Sequence, residues 1–373
     1  MTAHTTSTSD VVPVLPVHRF DEKALQRYLA QHLEAFTPPL TPPLTPPLTP
    51  PLTPPLTPPL TVEQFQGGMS NPTFRLQDGE GRSFVMRKKP PGELLPSAHA
   101  VEREYRVISA LAGSGVPVPK TYFLCEDESV IGTAFYVMEH VVGRVFLDQA
   151  LPGLEPGARA EIYSSMNTTL AALHSVDYGA VGLTGFGRES QYCARQVKRW
   201  TKQYIASQTD ALPDMDKLMA WLPENLPEED PTTIVHGDYR LGNMIFHPTE
   251  PRVVAVLDWE LSTLGHPLAD LAYNCFAYHV TNATRGDLVT ADLDALGIPN
   301  EEAYVAAYCK ATGRKDIPNW TFYLVLSLFR LAAITQGVYH RGLKGNASDP
   351  AALERKDTCR QLAKVAWGLV RRG

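Results

Sequence analysis

The chain has 373 residues, 44% of them hydrophobic and 20% charged, with a formal net charge of −6 from 34 basic and 40 acidic residues. The length suits two lobes or domains rather than one core, and the composition is that of a globular protein. No basic excess or stripe is visible, which argues against a nucleic-acid partner. Five cysteines (Cys125, Cys193, Cys275, Cys309, Cys359) are scattered without a CxxC pair. That disfavours a zinc site or a disulfide framework and suits a reduced, cytoplasmic setting. The start MTAHTTSTSD lacks a basic region followed by an apolar one, so no signal peptide is expected. The longest apolar run, TFYLVLSLF (321–329), is too short to span a bilayer and reads as a buried helix, so no membrane partner is expected.

Residues 1–20 read as unstructured. Residues 21–36 read as a helix, with Leu25, Tyr28, Leu29, Leu33 and Phe36 on one face and Asp21 as a candidate N-cap. Residues 37–61 hold six tandem TPPL copies and 12 of the 32 prolines. Proline fixes φ and removes backbone donors, so polyproline II is expected there. The tract reads as a tolerated repeat expansion in an exposed linker; the alternative is a PxxP ligand for a partner domain. Beyond it, TFRLQ and SFVMRK read as strands divided by the turn DGEG. Residues 99–113 read as an amphipathic helix ending at Gly113, followed by further strands in VPVPKTYFLCED and TAFYVMEHV. From about residue 150 the pattern is mainly helical, interrupted by a hairpin over 243–260.

The expected organisation is an N-terminal segment with one helix (1–36), a repeat linker (37–61), a strand-rich lobe (62–140) and a helical lobe (141–373). The fold class is α+β: a protein-kinase-like two-lobed fold with a small antiparallel β-sheet lobe and a mainly helical one.

The stretch HGDYRLGNMIF (236–246) carries Asp238 and Asn243, and the strand VVAVLD ends in Asp258. Phosphoryl transfer needs a carboxylate to meet the acceptor hydroxyl, oxygen ligands for Mg²⁺, and a cation for the transferred group. Mg²⁺ prefers carboxylate and amide oxygens, and these three residues supply such a set. A hairpin between them brings Asn243 and Asp258 together.

HGDYRLGN followed by LDWE resembles the aminoglycoside phosphotransferase and choline kinase-like family. The resemblance covers about residues 62–345 and implies Asp238 as catalytic base with Asn243 and Asp258 as Mg²⁺ ligands and ATP as donor. Arg240, two positions on, is a candidate for the γ-phosphate; the alternative is a surface salt bridge. His236 and His266 read as structural, and the resemblance implies that Asp270 braces the catalytic loop. Gly67, Gly68, Ser70 and Asn71 fit a turn covering the nucleotide phosphates.

FVMRK departs from the usual three apolar residues then lysine: by position the basic residue is Arg87, with Lys88 next to it. Alternation puts the two on opposite faces, so only one can enter the cleft; Arg87 is preferred and Lys88 is the alternative. Glu104 lies about 50° from the centre of its helix's apolar stripe and Glu102 about 110° away, so Glu104 is the better partner for Arg87. Glu139 ends the strand leading to the expected adenine-binding hinge.

Within that family, HRFDEKALQRYL, GGMSNPTF, RKKPPGELLPSAHAVEREYRV and HGDYRLGNMIF most resemble the kinase-like domain fused to some acyl-CoA dehydrogenases. This implies a small-molecule acceptor, a hydroxyacyl-CoA, and functional coupling to an acyl-CoA dehydrogenase. Arg330, Gln336, His340, Arg341 and Lys344 would suit such an anionic acceptor; otherwise they are a helix end complementing the macrodipole. An aminoglycoside- or choline-type kinase is the nearest alternative. A silent kinase-like scaffold, and a hydrolase with metal on His236, Asp238, His247, Asp258 and His266, are the readings from other classes.

Overall fold

Side-chain alternation along Ser83–Lys88 organises one half of the molecule. Phe84 and Met86 turn to one face of a sheet, where they join Phe74, Leu76, Phe135 and Val137 in a core completed by Leu25 and Leu29 of the helix Glu22–His32. The opposite face carries Arg87 and is covered by the helix Val101–Leu111, which buries Val101, Glu104, Val107, Ile108 and Leu111 against the strands Thr121–Cys125 and Phe135–Glu139. The sheet is antiparallel and six-stranded, in the order Val11–Val12, Thr61–Phe65, Thr73–Gln77, Ser83–Lys88, Phe135–Glu139, Thr121–Cys125.

The computed structural model describes residues 5–7, 10–32, 59–66, 71–91, 99–281, 285–347 and 351–372. They fall in two compact units, one of Ser7–Ala112 with Val118–Val142, the other of Met1–Thr6, Gly113–Pro117 and Gly143–Gly373. The TPPL tract up to residue 58, and the turn residues Gly67, Gly68 and Ser70, lie outside the described residues, as do Leu33 and Phe36.

The N-terminus departs from expectation. Val11 and Val12 pair with Phe65 and Gln64, and the Gln64 side chain accepts the Leu15 N–H at 3.1 Å. A two-residue strand leaves no periodic signature, and its partner lies beyond the repeat tract. The helix Glu22–His32 likewise belongs to the sheet unit, since Leu25 and Leu29 are fully buried in its core.

The second unit is mainly helical. Its helix Trp320–Leu343 contains the apolar run read from sequence. This helix is long and apolar enough to cross a membrane, but 67% of its apolar window is buried. It packs on the helices Tyr192–Ser207, Pro267–Cys275 and Thr358–Val370. Two small antiparallel pairs position the motif residues: Thr233–Val235 with Thr263–Gly265, and Met244–Phe246 with Val253–Val256. All five cysteines are free and buried.

Candidate active site

The loop His236–Asn243 leaves the buried strand Thr233–Val235, and its first two amides are tied down by one carboxylate. Asp270, on the helix Pro267–Cys275, accepts the His236 N–H at 2.6 Å and the Gly237 N–H at 2.9 Å on separate oxygens. Burial opposes the Asp270 charge. The hydrogen bond from His174, attraction to His174 and His236, and the His236 N–H outweigh it and hold the carboxyl below its usual range. Gly237 has φ +83°, and a Cβ there would lie 2.7 Å from the Leu261 carbonyl oxygen, so only glycine fits.

His236 is fully buried, with its ring centroid 4.7 Å from that of Trp259. Its Nε2 donates to the Leu257 carbonyl at 2.8 Å, which leaves Nδ1 to accept the Asp238 N–H at 3.2 Å.

This anchoring presents Asp238, whose carboxylate is held on both oxygens. Oδ2 accepts from Asn243 Nδ2 at 2.8 Å and pairs with Arg240 Nε at 3.2 Å. Oδ1 accepts from the Tyr273 hydroxyl. Burial first, then the Asp238 charge, pushes the Tyr273 phenol far up, so it is a donor and not an acid at neutral pH.

The Asn243 amide nitrogen also donates to the Asp238 carbonyl at 2.9 Å, which leaves the amide oxygen for a cation. The Leu257 N–H bonds the Asn243 carbonyl at 2.8 Å, so Asp258 begins where the hairpin returns to Asn243. Asp258 sits in the left-handed region at φ +64°, a conformation that Asp tolerates and that recurs at functional sites. One amide oxygen and one carboxylate at adjacent strand ends are hard oxygen donors, and they fit Mg²⁺.

In the sheet unit, Arg87 Nη1 meets Glu104 Oε2 at 3.2 Å. Glu104 is fully buried and also accepts from the Tyr136 hydroxyl at 3.1 Å and from the Asn71 side-chain amide. Lys88 points to the other face, 5.8 Å from the Phe20 ring centroid and 5.9 Å from that of Phe74. Glu102 pairs instead with Lys89, at 3.1 Å.

A family profile described as the phosphotransferase enzyme family (APH) matches residues 61–311. The chain belongs to this family. It is 50% identical over 307 residues to mouse acyl-CoA dehydrogenase family member 10, covering 82% of this chain and 28% of that protein. It is 46% identical over 371 residues to rat acyl-CoA dehydrogenase family member 11, covering 98% and 45%. The chain thus spans less than half the length of these relatives. A crystal structure of a Ralstonia eutropha protein that carries the name aminoglycoside phosphotransferase superposes with a TM-score of 0.82 at 48% identity, covering 95% of this chain and 99% of that one. Aminoglycoside phosphotransferase APH(4)-Ia, in complex with AMP-PNP and hygromycin B, shares the fold at a TM-score of 0.54 and 18% identity, covering 84% and 94%. The protein-kinase-like α+β fold and phosphotransferase class expected from sequence are those of this family.

Three of the residues assigned from sequence are committed elsewhere in this phosphotransferase. The Glu139 N–H bonds the Lys120 carbonyl at 2.8 Å inside the sheet, so it is not an amide that adenine could meet. Gln336 is 4% exposed and donates to the Ser207 carbonyl at 2.8 Å. Arg330 donates to the Gly237 carbonyl at 2.8 Å and lies 5.7 Å from the Trp200 ring and 5.4 Å from that of Tyr273, so it braces the loop. The five therefore do not converge: Arg341 and Lys344 are exposed at the far end of the helix.

The histidines of the hydrolase reading are committed too. His266 Nδ1 accepts the Leu268 N–H at 3.2 Å, and burial pushes this imidazole down to about 4. His247 Nδ1 accepts the Glu250 N–H at 3.1 Å. Among the described residues, no three His, Cys, Asp or Glu side chains gather to hold a metal.

Sequence reasoning missed Tyr273 and Arg285. Tyr273 lies three residues after Asp270, one helical turn on, and that spacing is the only signal for it. Arg285 is an electrostatic neighbour of Arg240, Tyr273, Asp238 and Arg355. No motif marks it.

Proposed function

We propose that this phosphotransferase is an ATP-dependent small-molecule kinase that moves the γ-phosphate to a hydroxyl of a hydroxyacyl-CoA. The observation that carries the reading is the Asp238 carboxylate, aimed by three donors, on the same loop as Asn243 and next to the strand end that bears Asp258. In this reading Asp238 takes the proton of the acceptor hydroxyl. Asn243 and Asp258 would hold Mg²⁺, which when bound offsets the charge of the phosphates. The Arg240 guanidinium bonds Asp238 through Nε, which leaves its terminal nitrogens for the γ-phosphate. Arg87, aligned by Glu104, would meet the nucleotide.

Two observations favour an anionic acceptor. Arg240 pairs with Asp238, Arg330 bonds the carbonyl one residue before it, and Arg285 is an electrostatic neighbour, so several cations lie near Asp238. Arg341 follows on the same helix as Arg330, and Lys344 caps its C-terminus. At a rise of about 1.5 Å per residue, Arg341 stands about 16 Å beyond Arg330. That spacing suits a thioester whose nucleotide phosphates lie far from its reacting hydroxyl. The names of the relatives support the acyl-CoA class, and a dehydrogenase acting on the phosphorylated product would be the coupled partner.

The test is Mg·ATP turnover with a 4-hydroxyacyl-CoA, its free acid, choline and an aminoglycoside. Preference for the thioester supports the reading. Preference for any of the other three overturns the acceptor while leaving a kinase, and no turnover with any of them overturns the kinase assignment.

A further inference from the structure

Counting the lone pairs of Asp238 leads beyond the motif. A carboxylate offers about four acceptor positions, two on each oxygen. Oδ2 has both filled, by Asn243 Nδ2 at 2.8 Å and Arg240 Nε at 3.2 Å. Oδ1 has one filled, by the Tyr273 hydroxyl.

We infer that Tyr273 is a positioning residue for phosphoryl transfer: its hydroxyl fixes the rotation of the Asp238 carboxylate and leaves one Oδ1 lone pair as the place where the acceptor hydroxyl must bind. The inference rests on the reading of Asp238 as base. During transfer the acceptor oxygen forms the new P–O bond and its proton passes to Oδ1. The bond from the γ-phosphorus to the β–γ bridging oxygen breaks, with its electron pair leaving on the nucleoside diphosphate.

Tyr273 is itself held. Its ring lies 5.4 Å from the Arg330 guanidinium carbon and 5.3 Å from the Phe276 ring. Arg330 in turn bonds the Gly237 carbonyl at 2.8 Å, one residue before the base. Tyr273 also shares the helix Pro267–Cys275 with Asp270, which anchors the start of the loop. One helix therefore sets both the backbone that carries Asp238 and the angle of its side chain.

The experiment is a double-mutant cycle with Tyr273→Phe and Asp238→Asn. Turnover of Mg·ATP is followed with a 4-hydroxyacyl-CoA and with water as acceptor, alongside nucleotide affinity by calorimetry. In the wild-type background Tyr273→Phe should lower kcat about tenfold or more, since a misplaced group costs on the order of 10²-fold. Nucleotide affinity should not change. In the Asp238→Asn background the same change should cost less than about twofold, because residues acting as one unit are not additive. Equal losses in both backgrounds, or no loss in the first, would overturn the inference. Undiminished turnover in Asp238→Asn alone would instead overturn the base assignment, and the inference with it. Should Tyr273→Phe fold poorly, fluorinated tyrosines at position 273 keep the ring and vary only the strength of the donor. A kcat that does not respond to fluorination would then overturn it.

Discussion

Replacing Asp270 by asparagine isolates the anchor of the catalytic loop. The carboxylate is 3% exposed and serves the His236 N–H at 2.6 Å, the Gly237 N–H at 2.9 Å and His174 Nε2 at 3.4 Å. Asparagine keeps one acceptor oxygen, so one backbone N–H is turned against an NH₂ group. A buried donor left unsatisfied costs about 1–3 kcal/mol, and loss of the charge at the remaining bond adds about 1 kcal/mol. The sum, about 2–4 kcal/mol, corresponds to a fall of roughly 5–15 °C in the transition of the helical unit.

The sign of the pH dependence follows from the depressed carboxyl. Between its folded and unfolded values the unfolded chain binds more protons, so the stabilisation is complete above the usual carboxyl value of about 3.9. It is lost as pH falls through the folded value. The gap in melting temperature between wild type and Asp270→Asn should thus be full at neutral pH and narrow in acid below about pH 4. Scanning calorimetry of both proteins across that range measures it. A variant that melts within a degree of wild type at neutral pH, or a gap that does not narrow in acid, would refute the argument.

Asp258→Ala should remove Mg²⁺-dependent nucleotide binding; calorimetry giving the wild-type Mg·ATP affinity would show that the ion is held elsewhere. Glu104→Ala should destabilise the sheet unit by about 3–5 kcal/mol, because it takes the carboxylate from a buried guanidinium. Glu104→Gln, which fills the same volume and keeps one acceptor oxygen where Asn71 and Tyr136 now use two, should cost less, and equal denaturation midpoints for the two variants would contradict the buried pair. Cutting six TPPL copies to one should leave melting temperature and turnover nearly unchanged, since closure entropy varies only with the logarithm of loop length; a drop of many degrees would show that the tract packs on the body.

What the sequence made legible follows from how local each cause is. The strand SFVMRK shows its two faces in six letters, and Arg87 and Lys88 lie on the sides that alternation dictates. The hairpin between Asn243 and Asp258 is set by neighbouring strands, so their proximity could be read directly. Pairing at a distance was not legible: Val11 and Val12 meet a strand beyond the repeat tract, and two residues carry no period. The substrate set assigned to the helix Trp320–Leu343 failed in part for a similar reason. Arg330 and Gln336 look available in sequence, but tertiary contacts with Gly237 and Ser207 commit them. Tyr273 was hidden because a tyrosine in an apolar helix is ordinarily core.

The burial of every thiol bears on how this protein can be followed in solution. Cys125, Cys193, Cys275, Cys309 and Cys359 are all enclosed. Burial pushes Cys193 and Cys359 up to about 12, and Cys275 well above its ordinary value. The thiolate is the reactive form, so these three side chains should ignore maleimides and iodoacetamides while the fold is intact. A cysteine introduced on an exposed residue would then take a dye or spin label with the native thiols left in place. The same thiols turn reactive when their surroundings open, so the rate of native-cysteine alkylation reports local unfolding without any label at all.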